Sequence, residues 1–194
     1  HQRLQKGKQL RPSVVKEIVE LLAPFDLSIS IIYPDGRHLV SKMDRFTKES
    51  MYRNPNDRYE FPKDLSALWQ EEAPKVLCRI DEERMPQLEA YVKAHPSPHY
   101  WGFKTRPDIY EFMDPENTKS NGLRKICRLL DISLEEVMAF GDTTNDNDLL
   151  ACCYGVCMAN GSEDTKAFSK DVTRYTNNEN GVGDYIERHL LQGK

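Results

Sequence analysis

From Pro12 onward the apolar residues Val14, Val15, Ile18, Val19 and Leu22 recur three and four positions apart, the spacing of one buried helical face. With proline at a position that tolerates its missing N–H, this predicts an amphipathic helix over 12–23. Alternation of period two takes over from Ser28 to Tyr33, Pro34-Asp35-Gly36 supplies turn chemistry, and Arg37 to Ser41 returns as a partner strand. Between Lys42 and Pro62 the periodicity dissolves. Met43, Phe46, Met51, Tyr52, Tyr59 and Phe61 scatter among Arg45, Lys48, Arg53, Asn54 and Arg58, which reads either as a long functional loop or as a weakly marked helix and turn. Beyond it the pattern predicts a short helix from Asp64 to Glu71, a buried strand from Val76 to Ile80, and a helix capped by Asp81 and running to about Ala94. Two strands follow, Tyr100 to Lys104 and Ile109 to Met113, joined around Arg106-Pro107-Asp108. Helices and hairpins in this order predict an α+β unit.

After Pro115 short apolar strands and helices alternate. Leu123, Ile126, Cys127 and Leu130 form a helical stripe, and Val137 to Phe140 reads as a strand. Asn147 to Cys152 (helix), Tyr154 to Met158 (strand), Ser162 to Ser169 (helix), Val172 to Arg174 (strand) and Val182 to Leu191 (helix) complete the series. Repeated βα units of this length predict a parallel sheet covered on both faces. The stretch holds too few strands for a complete doubly wound domain, so the expectation is an α/β fold with a partial, Rossmann-like core beside the α+β unit.

Composition narrows the function classes. The chain has 194 residues, 39% hydrophobic and 30% charged, with a mean hydropathy of −0.68, the profile of a soluble globular protein of one large or two small domains. No apolar run approaches the roughly 18 residues that span a bilayer, so no membrane partner is expected. The 27 basic and 31 acidic residues give a net charge of −4 and a pI near 5.8, which offers no polycationic surface for nucleic acid. Cys78, Cys127, Cys152, Cys153 and Cys157, an odd number within apolar segments, read as reduced thiols of a cytoplasmic protein. The chain opens at His1 in a basic stretch, which reads as a piece of a longer protein.

The segment with most chemical content is Val137 to Leu150, VMAFGDTTNDNDLL. An apolar strand runs into Gly141, and Asp142, Asn145 and Asp146 occupy the loop that opens the next helix. Ligands of parallel α/β sheets bind at the carboxyl ends of the strands, and hard oxygen donors there suit Mg²⁺. Asp and Asn are also preferred helix caps, and spacing alone leaves both readings open.

Gly141-Asp142-Thr143-Thr144-Asn145-Asp146 resembles the GDxxND motif of the haloacid dehalogenase superfamily. From about Ile109 to the C-terminus the chain is similar to its Cof-type phosphatases: the strand IYEFMD, Lys119 before a helix bearing Leu123, LDISLEEVMAFGD, VCMANG, DVT and NENGVGDYI. The resemblance implies Mg²⁺-dependent hydrolysis of small phosphorylated metabolites, a sugar phosphate or a phosphorylated cofactor. It makes Asp142 the acidic metal ligand, with Asn145 and Asp146 completing or orienting the metal and phosphate site. Lys119 becomes the catalytic lysine that neutralises the phosphoryl group and the nucleophile, and Asn160 lies near the phosphate. The family usually has glycine directly after that lysine, whereas Ser120 and Asn121 intervene here before Gly122. Gly181-Val182 matches a signature that serves backbone geometry.

The same resemblance implies an aspartyl-phosphate formed on a DxDGT segment. The only similar string, Tyr33-Pro34-Asp35-Gly36-Arg37, lacks the first Asp and sits in a predicted hairpin. The nucleophile is therefore expected upstream, with 1–11 ending the first core segment, 12–113 forming the cap and 114–194 the C-terminal part of the core. Lys42, Arg45, Tyr52 and Arg53 are the cap's candidates for substrate specificity. The 194 residues alone are then expected to show no turnover. The alternative is a non-catalytic fragment or degenerate relative that binds a phosphorylated ligand or a partner chain.

Overall fold

Arg11 is extended and Pro12 follows as the first helical residue, so helix α1 (Pro12–Leu22) begins where the apolar stripe does and buries Val14, Val15, Ile18, Val19 and Leu22. The structure is a computed structural model in which residues 7–191 are described, and it divides into one unit ending at Asn117 and another beginning at Thr118.

In the first unit, strands β1 (Ile29–Ile32) and β2 (Arg37–Val40) form the expected antiparallel hairpin, with Gly36 at φ 78° in a turn that only glycine adopts without strain. Lys42 to Pro62 resolves into helix α2 (Arg45–Arg53) and strand β3 (Arg58–Glu60). Asp44 caps α2 by accepting a 2.8 Å hydrogen bond from the Thr47 amide. Only Thr47 is buried along this helix, so there was no apolar stripe to reveal it. Strand β4 (Val76–Arg79), helix α3 (Met85–Ala94), and strands β5 (Trp101–Arg106) and β6 (Ile109–Met113) follow.

Asp81 does not cap α3 with its side chain. A tight turn, Glu82–Arg84, intervenes, and the Asp81 carboxylate pairs instead with Arg45. The six strands are ordered β3-β2-β1-β4-β6-β5, with β2 and β3 parallel and the other pairs antiparallel. Alternation gives the sheet two faces. Ile29, Ile31, Val76, Cys78, Tyr110 and Phe112 join the buried faces of α1 and α3 in one core. Ser30, Ile32, Leu77, Arg79 and Ile109 point the other way. Leu10, 1% exposed, joins the same core, exchanging backbone hydrogen bonds of 2.8 and 3.0 Å with Ala73.

The second unit alternates as the sequence predicts. Helix α4 (Lys119–Leu130) leads to β7 (Met138–Gly141), α5 (Asn147–Cys152), β8 (Tyr154–Cys157), α6 (Glu163–Lys166), β9 (Asp171–Val172) and α7 (Gly181–Ile186), continued by a wider turn, Glu187–Leu191. Strands β7, β8 and β9 are adjacent in that order and parallel. Both α6 and β9 are shorter than their sequence patterns suggest.

Candidate active site

Parallel register sets Gly141 opposite Cys157, so the loops leaving β7 and β8 emerge side by side at the carboxyl ends of their strands. The Met158 amide donates to the Gly141 carbonyl at 2.8 Å and ties the two loops together.

Within the first loop the chain turns back on itself around Asp146, which is 5% exposed. Its Oδ2 accepts from the amides of Asp142 (3.1 Å) and Thr143 (3.4 Å), and its Oδ1 accepts from Lys119 Nζ. Gly141 makes this fold-back feasible: a Cβ there would lie 2.5 Å from Asp146 Cβ and 2.9 Å from its Oδ2. A second acid grips the start of α4. Asp148 Oδ2 accepts from the Ser120 amide at 3.1 Å, while Thr118 caps the helix by accepting from the Asn121 amide at 3.2 Å. Burial alone would raise the Asp148 carboxyl. The Ser120 and Thr118 hydroxyls and the Ser120 amide outweigh it and hold the group below its ordinary range. Lys119 is thus positioned twice, at its ammonium by Asp146 and, through the neighbouring Ser120 amide, by Asp148.

Asp142 is half-buried, and its Oδ2 accepts from Asn177 Nδ2 at 3.0 Å. Asn145 Oδ1 accepts from the Thr143 hydroxyl. On the second loop, Asn160 Oδ1 accepts from the Asn177 amide at 3.1 Å, which leaves the Asn160 NH₂ as the donor for another group. Gly161 packs under this arrangement, since a Cβ there would meet Cys157 Sγ at 2.4 Å and the Asp142 carbonyl oxygen at 3.3 Å. Lys119, Asp142, Asn145, Asp146 and Asn160 therefore come together around two strand ends.

Sequence reasoning missed Asp148 and Asn177. Asp148 sits where an ordinary first-turn acid is expected, and nothing in the residue type or spacing of Asn177 marks it.

The Asp142 carboxylate and the Asn145 amide oxygen are hard donors on one loop, whereas both Asp146 oxygens are engaged by Lys119 and backbone amides. Among the described residues no three His, Cys, Asp or Glu side chains gather into a metal cage. The set fits a cation that takes one or two protein oxygens and fills its remaining positions with water and phosphate.

The four candidates of the first unit do not converge. Lys42 Nζ donates to the carbonyl and the carboxylate of Asp26, both at 2.6 Å, and so pins a residue held at φ 51°. Arg45 pairs with Asp81, and Tyr52 is 87% exposed. Arg53 alone of the four lines a cavity of about 190 Å³ between α2 and the open sheet face. Ser30, Ser50, His38 and Tyr59 share that lining, and among the described residues neither Asp nor Glu lines it. His38, 5% exposed, bonds Asp57 at 2.8 Å and packs its ring on Tyr59. Arg79, whose side chain is 11% exposed, clamps α2 to the sheet through Glu49 (2.8 Å), Asp108 and the Phe46 carbonyl (3.3 Å).

Comparison with known proteins adds relatives to this geometry. The chain is 31% identical over 126 residues to a Bacillus subtilis 5-amino-6-(5-phospho-D-ribitylamino)uracil phosphatase, covering 62% of this chain and 45% of that protein. It is 37% identical over 89 residues to an Arabidopsis thaliana protein named as a chloroplastic endoribonuclease, covering 45% of this chain and only 15% of that one. The chain thus spans less than half the length of these two curated relatives. Its fold matches the crystal structure of SMU.1108c from Streptococcus mutans with a TM-score of 0.80 at 21% identity, over 97% of this chain and 71% of that one. The profile of the haloacid dehalogenase-like hydrolases matches residues 2–186, nearly the whole sequence, and the chain belongs to that family.

Proposed function

We propose that this chain supplies the metal- and phosphate-binding residues of a Mg²⁺-dependent phosphatase for small phosphorylated metabolites, a sugar phosphate or a phosphorylated cofactor. The observation that carries the reading is the Lys119–Asp146 pair beside Asp142 at the carboxyl ends of two parallel strands. Names of relatives support it, one of them specifying a phosphorylated ribitylaminouracil. In this reading 12–113 is the cap and 114–194 the C-terminal part of the core.

The chemistry follows from the side chains. Lys119, oriented by its ion pair with Asp146, balances the anionic oxygens of a transferring phosphoryl group. The Asn160 NH₂, its oxygen already engaged, donates to a phosphate oxygen. Asp142 and Asn145 would hold Mg²⁺, which when bound neutralises charge on the phosphate oxygens. In an aspartyl-phosphate route the attacking carboxylate, which no DxDGT string of these 194 residues supplies, would bond to phosphorus as the ester P–O bond breaks and the alcohol leaves, and water would then cleave the acyl phosphate. Within the first unit we assign substrate recognition to the cavity that Arg53 lines.

A panel of phosphate esters assayed with the full-length protein, in Mg²⁺ and in EDTA, tests this beside Asp142→Ala. The expected result is Mg²⁺-dependent turnover of a subset of esters that falls at least 100-fold in the variant. An Asp142→Ala protein that loses metal dependence while keeping its rate would remove the assignment. The absence of a DxDGT string from these residues favours one second reading, a phosphate-ester binder without turnover. Saturable ester binding with no hydrolysis would support it.

A further inference from the structure

We propose that Asn177 is a positioning residue for Asp142, and that Asn160 acts on the same site through it. The proposal rests on the reading of Asp142 as a metal ligand. It joins three residues from three separate segments into one chain of hydrogen bonds. Asn160 Oδ1, on the loop after β8, accepts from the Asn177 amide at 3.1 Å. Asn177 Nδ2, on the loop before α7, donates to Asp142 Oδ2 at 3.0 Å.

A carboxylate at a strand end can rotate about both of its side-chain torsions. A neutral donor fixed on one oxygen stops that rotation and leaves the other oxygen to a cation, without adding charge that would compete with it. Outer partners of this kind typically change metal affinity by about 10- to 100-fold.

The loop carrying Asn177 is built to hold still. The Thr176 amide and hydroxyl donate to Glu179 Oε2 at 3.1 and 2.8 Å, closing a reciprocal turn. Asn180 follows at φ 60°, and Gly181 starts α7 where a Cβ would lie 2.2 Å from the Tyr175 carbonyl oxygen. Asn177 is exposed, so its removal takes nothing from the core.

Titration calorimetry with MgCl₂ on the full-length protein, paired with thermal melts in EDTA, tests the proposal. Asn177→Ala is expected to weaken Mg²⁺ binding about 10- to 100-fold with the melting temperature in EDTA unchanged, and excess Mg²⁺ is expected to restore kcat. Asn160→Ala is expected to weaken Mg²⁺ binding less, and the double variant to match Asn177→Ala rather than the product of the two effects. Unchanged Mg²⁺ affinity in Asn177→Ala, with affinity abolished in Asp142→Ala, overturns this proposal alone. Unchanged affinity in Asp142→Ala overturns the metal-site reading and this inference together.

Discussion

Replacing Gly141 by alanine tests how closely the site is built. The added methyl would lie 2.5 Å from Asp146 Cβ and 2.8 Å from its Cγ, inside any ordinary carbon–carbon contact. Relief requires about 1 Å of movement. If Asp146 gives way, the 3.1 and 3.4 Å bonds from the Asp142 and Thr143 amides stretch beyond bonding distance. Overpacking costs about 1–3 kcal/mol, and charge-assisted hydrogen bonds at a buried carboxylate contribute about 1.5–3 kcal/mol each, the longer one less. Reduced freedom of the unfolded chain returns about 0.4–1 kcal/mol. A net loss of roughly 3 kcal/mol to the unit beginning at Thr118 is expected, or about a 100-fold rise in its open population.

Both tryptophans, Trp69 and Trp101, lie in the other unit, so fluorescence would miss this change. The thiols report it. Cys127, Cys153 and Cys157 are buried in the unit that contains Gly141, and Cys78 is buried in the other. Burial pushes the Cys78 thiol up to about 12 and the Cys153 thiol up to about 11, so native labelling is slow on both sides. Alkylation in native buffer, resolved by peptide mass spectrometry, is expected to accelerate about 100-fold at Cys153 and Cys157 and to stay constant at Cys78. Unchanged labelling at Cys157 would refute the steric argument.

Lys119→Met leaves Asp146 buried against two amides. Because Lys119 is itself half-exposed, the expected stability loss is only about 1–2 kcal/mol by urea-dependent thiol labelling, while kcat/KM in the full-length protein falls by at least 100-fold. A stable variant with unaltered kcat/KM would contradict the role given to the ammonium. Arg79→Ala leaves Glu49 with Arg53 alone and Asp108 with only the longer 3.7 Å pair to Arg106, and is expected to lower stability by about 1–3 kcal/mol, read as a lower urea midpoint of tryptophan fluorescence. An unmoved midpoint would show that the clamp is dispensable. Asp148 has its carboxyl depressed in the native state, so its contribution is present above the unfolded pKa of about 3.9 and is lost as pH falls through the lower native value. Hydrogen-exchange protection of the α5 amides is expected to decline below about pH 4, less steeply in Asp148→Asn. Equal pH slopes in the two proteins would exclude Asp148 as the cause.

Repeating local signals made much of the fold legible. The α1 stripe, the Pro34-Asp35-Gly36 turn and the βα alternation after Pro115 each depend on residues close in sequence, and each element formed where its pattern lies. The sequence also marked the loop from Asp142 to Asp146 as a candidate site, because an apolar strand ending in glycine and followed by acids is a local pattern. Only the tertiary structure decided what each acid does. Asp146 lies 27 residues from its lysine, Asp148 lies 28 from the amide it holds, and Asn177 lies 35 from Asp142. Helix α2 escaped periodicity because a helix that buries one threonine leaves no stripe, and the Lys42, Arg45 and Tyr52 assignments dispersed because charge and ring alone do not set direction. The strands and helices are written in neighbouring side chains, whereas a site assembled at their ends depends on register between segments distant in the chain, which packing alone determines.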